Sequence, residues 1–172
     1  MKKQFEKNVD GVTVLEKAPV ITGEEVLSPL TGQVLPLSEA DDEVFASGAV
    51  GDGVVIVPED NIIYAPFDGV VSSIFPSKHA IGLISDKGAE VLIHIGINTV
   101  DLAGRGFEAF VKDGDRIVFG QPLIQFDVSV IEEAGLSTQN MIIVTNKADY
   151  SDVTFSEETY RKAKSSLMTL KK

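Results

Sequence analysis

The pattern of the fold is set by the stretch Ile81-Gly82-Leu83-Ile84-Ser85-Asp86-Lys87-Gly88-Ala89-Glu90-Val91-Leu92-Ile93-His94-Ile95. Its two ends, residues 81–85 and 91–95, are short apolar runs rich in Ile, Val and Leu. Such residues pack well on the pleated surface of a β-sheet. Between the runs, Asp86-Lys87-Gly88 is typical of a tight turn, because glycine adopts positive φ and aspartate hydrogen-bonds its own backbone. We therefore predict two short strands here.

The same alternation of apolar run and turn continues on both sides of this stretch. Further turn sequences are Gly51-Asp52-Gly53, Asp68-Gly69 and Asp113-Gly114-Asp115. Many short strands at close spacing predict an all-β fold, either a sandwich or a barrel. The further apolar runs span residues 33–37, 54–57, 62–65, 70–75, 108–111, 116–119, 123–126 and 141–145.

Three segments depart from the strand pattern. Residues 127–136 predict a short helix that ends near Gly135, since glycine commonly follows the last turn of a helix. Residues 1–24 show no period, so we interpret them as a tail or linker. Residues 149–172 are polar, and Ser156 with the acidic residues after it is typical of a helix start. This C-terminal tail could dock on the domain or serve as a linker.

The composition restricts the class of protein. With 172 residues the chain is long enough for one domain with a real core and too short for two. Its net charge of −11 repels nucleic acid and anionic membrane but suits a basic protein partner. Cysteine is absent, which excludes disulfides, thiolate metal sites and cysteine nucleophiles. We find neither an apolar run of membrane-spanning length nor a signal peptide, so we expect a cytoplasmic protein.

Only two histidines occur in the chain, His79 and His94, and both lie in apolar segments. Histidine titrates near neutral pH, and its neutral ring nitrogen is a good nucleophile or metal ligand. A single histidine in such a segment is most often a packed side chain without a chemical role. Two of them at the ends of separate strands are more typical of a paired site.

A longer ordered pattern surrounds these histidines. Residues 88–100 run glycine, apolar strand, His, apolar, Gly, apolar, any residue, Thr and apolar. Matching segments elsewhere are Ser28-Pro29-Leu30-Thr31-Gly32, Val44-Phe45-Ala46, Ala65-Pro66-Phe67-Asp68-Gly69, His79-Ala80-Ile81-Gly82, Gly104-Arg105-Gly106-Phe107 and Val144-Thr145-Asn146. Together they resemble the glucose-type enzyme IIA of the bacterial sugar phosphotransferase system. The resemblance covers residues 25–148 and implies one IIA domain between the two tails.

This resemblance implies a compact antiparallel β-sandwich that acts as a phosphotransferase component, not as a complete sugar kinase. It implies that His94 accepts a phosphoryl group on Nε2 from the phosphocarrier protein HPr, and that His79 stabilises the group. A cysteine of a IIB domain then receives it for sugar uptake. Relatives also regulate other proteins. No cofactor is required, although His79 and His94 could share a zinc ion with a partner's ligand. We expect a monomer that binds no nucleic acid.

Further site residues follow from the chemistry and from the resemblance. One ring nitrogen of His94 must be held while the other faces phosphorus; a carbonyl just downstream could hold it, where Gly96 allows close approach. Ser77 matches a hydroxyl position of the family, and we interpret it as a donor in a relay with His79. The positions that match the partner face of the family are Phe45, Val50, Phe75, Leu92, Asp42 and Gly96.

Two other classes of protein remain as alternatives. Residues 111–123 resemble the hairpins of biotinyl and lipoyl domains, and Lys87 lies in a tight turn, so a biotin or lipoate carrier is one alternative. The other is a zinc-dependent hydrolase of β-sandwich fold. Catalytic zinc needs three protein ligands, so a carboxylate or a partner would have to complete the histidine pair. The sequence identifies neither the sugar nor whether the domain belongs to a fused permease.

Overall fold

The computed structural model describes residues 5–9, 12–16 and 23–172, with side chains from residue 23 onward. The helices are short, namely α1 (Glu43–Ala46) and α2 (Val128–Glu133), with 3₁₀ turns at Leu37–Glu39, Thr99–Leu102 and Lys147–Asp149. The strands are β1 (Phe5–Val9), β2 (Val12–Glu16), β3 (Gly23–Leu27), β4 (Gly32–Pro36), β5 (Asp52–Pro58), β6 (Ile62–Tyr64), β7 (Gly69–Ile74), β8 (Ala80–Ser85), β9 (Glu90–Ile95), β10 (Phe107–Ala109), β11 (Arg116–Ile117), β12 (Pro122–Phe126), β13 (Asn140–Val144), β14 (Asp152–Phe155), β15 (Tyr160–Arg161) and β16 (Ser166–Lys171).

These strands form antiparallel sheets, which confirms the all-β prediction. The largest sheet has the order β11-β7-β8-β9-β13-β5-β4-β15. Two three-stranded sheets have the orders β10-β12-β6 and β14-β16-β3, and both contribute side chains to the same core as the large sheet. Strands β1 and β2 pair with each other. The domain is therefore a set of antiparallel sheets around one main core.

One face of the large sheet lines this main core. Along β9, Val91, Ile93 and Ile95 are buried, whereas Leu92 and His94 lie on the opposite face and are half-buried. This alternation follows from the two-residue period of a strand. Strand β13 lies between β9 and β5 and is buried at every residue, so both faces of the sheet are covered at that point.

The opposite face of the sheet carries a second, smaller apolar cluster, which we name the small cluster. It joins the segment around α1 to the outer face of β5 and β13. Because Met141 of β13 pairs directly with His94 of β9, this cluster holds the α1 segment beside His94. Its members are Leu37, Val55, Ile97, Met141 and Ile143, with Leu35, Ala40, Phe45 and Val50 packed against them.

The β8–β9 hairpin confirms the two strands predicted from the opening stretch. The backbone N–H of Ser85 donates to the carbonyl of Ala89, and Gly88 in the turn has φ of +100°. The register aligns Ala80 with His94. The N–H of Ile95 donates to the carbonyl of His79 at 2.7 Å. The hairpin thus brings the two histidines side by side.

The predicted helix between strands is also confirmed. It forms α2, and the carboxylate of Asp127 caps its first turn by accepting from the N–H of Ser129. Gly135 follows its end with φ of +74°, as predicted. Within the described part of the chain, no helix is both long and apolar enough to cross a membrane.

The prediction of a helix start at Ser156 in the C-terminal segment is wrong. Ser156 begins no helix, and residues 152–171 instead contain β14, β15 and β16. Strand β16 pairs with β3, where it buries Met168 and Leu170 beside Val26. These apolar residues recur at a two-residue period, and their burial outweighs the local helix signals of the charged residues between β14 and β16. The C-terminal segment is therefore docked on the domain.

The N-terminal segment contains a two-stranded sheet. Strands β1 and β2 pair antiparallel, from Phe5 opposite Glu16 to Val9 opposite Val12. Regular structure at these two strands was not predicted, because the sequence there shows no clear alternation. Residues 1–4, 10–11 and 17–22 lie outside the described residues, and the interpretation of residues 1–24 as a tail or linker stays a prediction.

Candidate functional site

The two histidine rings are in contact at the edge of the small cluster. His79 lies immediately before β8 and is 4% exposed, and His94 lies near the end of β9 and is half-buried. Their ring centroids are 5.0 Å apart, and the ring planes are inclined by 77°. The structure therefore brings together the two side chains that the sequence analysis predicted as a pair.

A short hydrogen bond fixes the orientation of the His94 ring. Its Nδ1 donates to the carbonyl oxygen of Gly96 at 2.7 Å. A carbonyl only accepts, so the proton lies on Nδ1 and the lone pair lies on Nε2. This is the predicted arrangement, with Gly96 itself as the acceptor.

The loop that presents this carbonyl requires glycine. Gly96 has φ of +73°, and an added Cβ would lie 2.5 Å from Cγ2 of Thr99. Thr99 is completely buried, and its hydroxyl donates to the carbonyl of Ile95 at 2.5 Å. Thr99 was not predicted as a site residue, although its place in the 88–100 pattern was the signal that could have identified it.

Both imidazoles favour the neutral form. Burial lowers the pKa of His94 from its ordinary 6.5, although the bond to Gly96 and the negative charge of Asp42 oppose this shift. Burial, and then the neighbouring His94, lower the pKa of His79 to about 4. Near pH 7 both rings are therefore neutral, and the lone pair of the His94 ring lies on Nε2.

Aromatic side chains stand beside both rings. The Phe45 ring lies 5.0 Å from the His94 ring, and the Phe75 ring lies 5.5 Å from the His79 ring in an edge arrangement. Phe75 is 41% exposed, and Leu92 lies on the same face of β9 as His94. Two of the predicted face residues, Phe45 and Phe75, therefore adjoin the pair, while Val50 and Phe45 both pack against the small cluster.

Asp42 has a structural position in addition to its charge. Its carboxylate accepts from the N–H groups of Val44 and Phe45 and so caps the start of α1. The same carboxylate raises the pKa of His94 through its negative charge. From the sequence, Asp42 was predicted to lie on the partner face, but its cap of α1 was not predicted.

The predicted contact between Ser77 and His79 is not formed. Nδ1 of His79 is buried and has no hydrogen-bond partner among the described residues. Lys78 between them has φ of +59°, and its N–H closes a turn onto the carbonyl of Phe75. The Ser77 hydroxyl makes no hydrogen bond to this nitrogen, and the relay role of Ser77 stays a prediction.

The site contains two of the ligands that a metal ion would need. In the described residues, no group of three or more His, Cys, Asp or Glu side chains is arranged to hold a metal. A catalytic zinc ion takes three protein ligands and keeps one open position. The histidine pair would therefore need at least one ligand from another molecule to bind zinc in this way.

The comparisons with known proteins agree with the geometry. A family profile described as phosphoenolpyruvate-dependent sugar phosphotransferase system, EIIA 1, matches residues 24–150. The chain is also similar in structure to glucose permease IIA from Mycoplasma capricolum, with a TM-score of 0.80 and 33% identity. That match covers 86% of this chain and 95% of the Mycoplasma chain.

Two relatives with longer chains are similar in sequence. The PTS system glucose-specific EIICBA component of Staphylococcus saprophyticus subsp. saprophyticus is 49% identical over 144 residues, which are 84% of this chain and 21% of the relative. The PTS system beta-glucoside-specific EIIBCA component of Bacillus subtilis is 47% identical over 128 residues, which are 74% of this chain and 21% of the relative. The chain thus spans about a fifth of the length of these curated relatives.

These matches decide between the classes of protein left open by the sequence. They give no support to a biotin or lipoate carrier or to a zinc hydrolase, and the exposed Lys87 is an ordinary residue of the β8–β9 turn. The matched segment includes both histidines and the whole large sheet except β15. The chain therefore belongs to the EIIA 1 family of the phosphoenolpyruvate-dependent sugar phosphotransferase system, as a phosphocarrier component of sugar uptake.

Proposed function

We propose that Nε2 of His94 accepts a phosphoryl group from phospho-HPr and passes it to a cysteine of a IIB domain. The observation that carries this proposal is the 2.7 Å hydrogen bond from Nδ1 of His94 to the carbonyl of Gly96. It leaves the lone pair of a neutral imidazole on Nε2, which is the state that in-line phosphoryl transfer requires.

Each proposed transfer step breaks one bond to phosphorus and forms another. As the P–N bond to the donor histidine breaks, a P–N bond to Nε2 forms, and the donor ring regains its lone pair. The His94 ring then carries positive charge, which the carbonyl of Gly96 and the carboxylate of Asp42 stabilise. When a IIB thiolate attacks phosphorus, the P–N bond breaks, a P–S bond forms, and His94 returns to its neutral state.

His79 is proposed to stabilise the phosphoryl oxygens. Its ring is in contact with that of His94 and is held at 4% exposure, so it is available as a fixed hydrogen-bond donor. Its pKa of about 4 keeps it neutral before transfer. The negative phosphoryl group would raise that pKa and strengthen the hydrogen bond, because an opposite charge favours protonation.

The partner surface is proposed to be the outer face around the histidines. Exposed or half-buried apolar side chains there exclude water from a labile P–N bond while leaving the site open to a protein. The residues proposed for this face are Phe45, Val50, Phe75 and Leu92, with Asp42 and Gly96 at its centre. The net charge of −11 suits a basic donor such as HPr.

The rest of the proposal concerns the whole transport system. The relatives are named as EIICBA or EIIBCA components, which supports a IIB acceptor for this domain. A role between HPr and IIB places the domain in the cytoplasm, and phosphorylation-dependent binding of other proteins belongs to the same proposal. We propose no sugar, because the membrane component selects it.

Reconstitution with radiolabelled phosphoenolpyruvate, enzyme I and HPr tests this function. We expect acid-labile, base-stable label on the wild-type protein and none on His94→Ala. His79→Gln should still accept the label but pass it to a IIB domain about a hundredfold more slowly, the scale of one lost donor to a developing oxyanion. Equal labelling of His94→Ala would refute the acceptor, and normal onward transfer by His79→Gln would refute the stabilising role.

A further inference from the structure

The segment between α2 and β13 touches both sides of the histidine site. The carbonyl of Ser137 accepts from the N–H of Ile97 at 3.1 Å, directly after the glycine whose carbonyl holds His94. Two residues later, Gln139 reaches the other side of the site. Its side chain is buried, with 9% exposure, so its polar atoms need partners within the protein.

Both ends of the Gln139 amide are satisfied by the chain that leads into α1. Its Oε1 accepts from the N–H of Asp41 at 2.7 Å, and its Nε2 donates to the carbonyl of Glu39 at 3.2 Å. A further contact joins the same segments, since the hydroxyl of Ser137 donates to the carboxylate of Asp41 at 3.3 Å. One buried amide therefore fixes a loop about a hundred residues away in the sequence.

This anchor lies immediately before the residues that stand over His94. Asp42 follows Asp41 and caps α1, and Phe45 in α1 packs 5.0 Å from the His94 ring. Helix α1 has four residues, and none of them is fully buried. Helices this short are not stable by themselves, so the position of α1 depends on its cap, on the small cluster and on the anchor.

We propose that Gln139 is a positioning residue, which holds α1 and its Phe45 over His94 in the arrangement that a protein donor recognises. This inference rests on the proposed phosphoryl transfer from HPr. The hydrogen bonds of the Gln139 side chain go to Asp41 and Glu39 and not to a histidine, and the bond from His94 to Gly96 does not include it. Its loss should therefore weaken the docking of the donor protein and leave the reactivity of Nε2 unchanged.

The comparison of a protein donor with a small donor tests this separation. Gln139→Leu has a similar volume but loses both hydrogen bonds. With phospho-HPr we expect a rise in KM of about tenfold at unchanged kcat, the scale of lost hydrogen bonds at a buried group. With phosphoramidate, which transfers its phosphoryl group with release of ammonia and needs no protein face, we expect the wild-type rate. Gln125→Leu, at an exposed position of β12, is the matched control and should match the wild type with both donors.

The outcomes are distinct. An unchanged KM for phospho-HPr, or an equal loss with both donors in a folded variant, overturns the positioning role. If Gln139→Leu does not fold, Gln139→Glu decides, because it keeps an acceptor for the N–H of Asp41 and replaces the donor to Glu39 with a carboxylate oxygen that the carbonyl repels. A rise in KM for phospho-HPr alone supports the inference and a wild-type KM overturns it. Absence of label on the wild-type protein from either donor would instead overturn the proposed function.

Discussion

The two faces of strand β9 differ in burial. On the inner face Val91, Ile93 and Ile95 are at most 2% exposed and belong to the main core. On the outer face Leu92 and His94 are half-buried beside the small cluster. Apolar burial at about 25 cal/mol per Å² makes the inner face the source of stability. The outer face buries less apolar surface, and its side chains are accessible to another molecule.

The difference shows how the proposed phosphoryl acceptor can be both rigid and accessible. The backbone of His94 is held in the middle of the large sheet, between β8 and β13. Its ring is held separately, by the carbonyl of Gly96 on one side and Phe45 on the other. Substitutions on the inner face should therefore have the larger effect on stability, and substitutions on the outer face should also change transfer or titration.

The largest expected effect is at the centre of the inner face. Ile93→Ala should lower the free energy of unfolding by about 4 kcal/mol, because it removes three carbons from a fully buried position and leaves a cavity. Urea denaturation measures this loss. Leu92→Ala on the outer face is the matched variant. It should lower the free energy of unfolding by only about 1 kcal/mol, because the Leu92 side chain is only half-buried. Equal losses at the two positions would contradict the division between the faces.

The outer face should also make stability depend on pH through His79. Its pKa is about 4 in the folded protein against an ordinary 6.5, first because of burial and then because of His94. The unfolded chain therefore binds more protons between these values, and the free energy of unfolding falls as the pH drops from about 6.5 towards 4. With allowance for solvent at the edge of the site, we expect a loss on the order of 2 kcal/mol.

Urea denaturation at pH 7 and at pH 4.5 measures this loss. His79→Gln does not titrate, so its free energy of unfolding should fall less than that of the wild type over the same interval. His94 has a lowered pKa as well and contributes in the same direction, and that contribution remains in the variant. If wild type and variant lost stability in parallel, the low pKa of His79 would be wrong.

The parts of the site that could be predicted are those whose interacting residues are close together in the sequence. The β8–β9 hairpin follows from two apolar runs and the Asp86-Lys87-Gly88 turn, and it brings His79 beside His94 without any distant contact. The carbonyl that holds His94 is likewise two residues downstream. Local chemistry of this kind is readable because the groups that interact are neighbours in the chain.

The parts that could not be predicted depend on distant partners. The hydrogen bond from Asp41 to Gln139 joins positions 98 residues apart. Strand β16 exists because it pairs with β3 near the start of the domain, and the local helix signals at Ser156 did not reveal that partner. The left-handed backbone at Lys78, between Ser77 and His79, could not be predicted because the residue there is not glycine. Nonlocal pairing and unusual φ values override local propensity in each case.

A smaller effect is expected at the loop that completes the outer face. Thr99→Val keeps the shape of a completely buried side chain but removes the hydroxyl that donates to the carbonyl of Ile95. We expect a loss of about 1 kcal/mol in the free energy of unfolding, the net contribution of one buried hydrogen bond. Thr169→Val, at an exposed position of β16, is the control and should change stability by less than about 0.5 kcal/mol. A Thr99→Val protein as stable as the wild type would show that this hydrogen bond contributes nothing.

The smallest effect is electrostatic and concerns the outer face alone. Asp42→Asn should keep the cap of α1, because asparagine is as good an N-cap as aspartate, and should leave stability unchanged. It removes a negative charge that raises the pKa of His94, so that pKa should fall, which an NMR titration of the imidazole measures. Asp42→Ala also removes the cap and should lose about 1 kcal/mol in addition. A pKa of His94 that falls in Asp42→Ala but not in Asp42→Asn would mean that Asp42 acts on the ring by placing α1 and not by its charge.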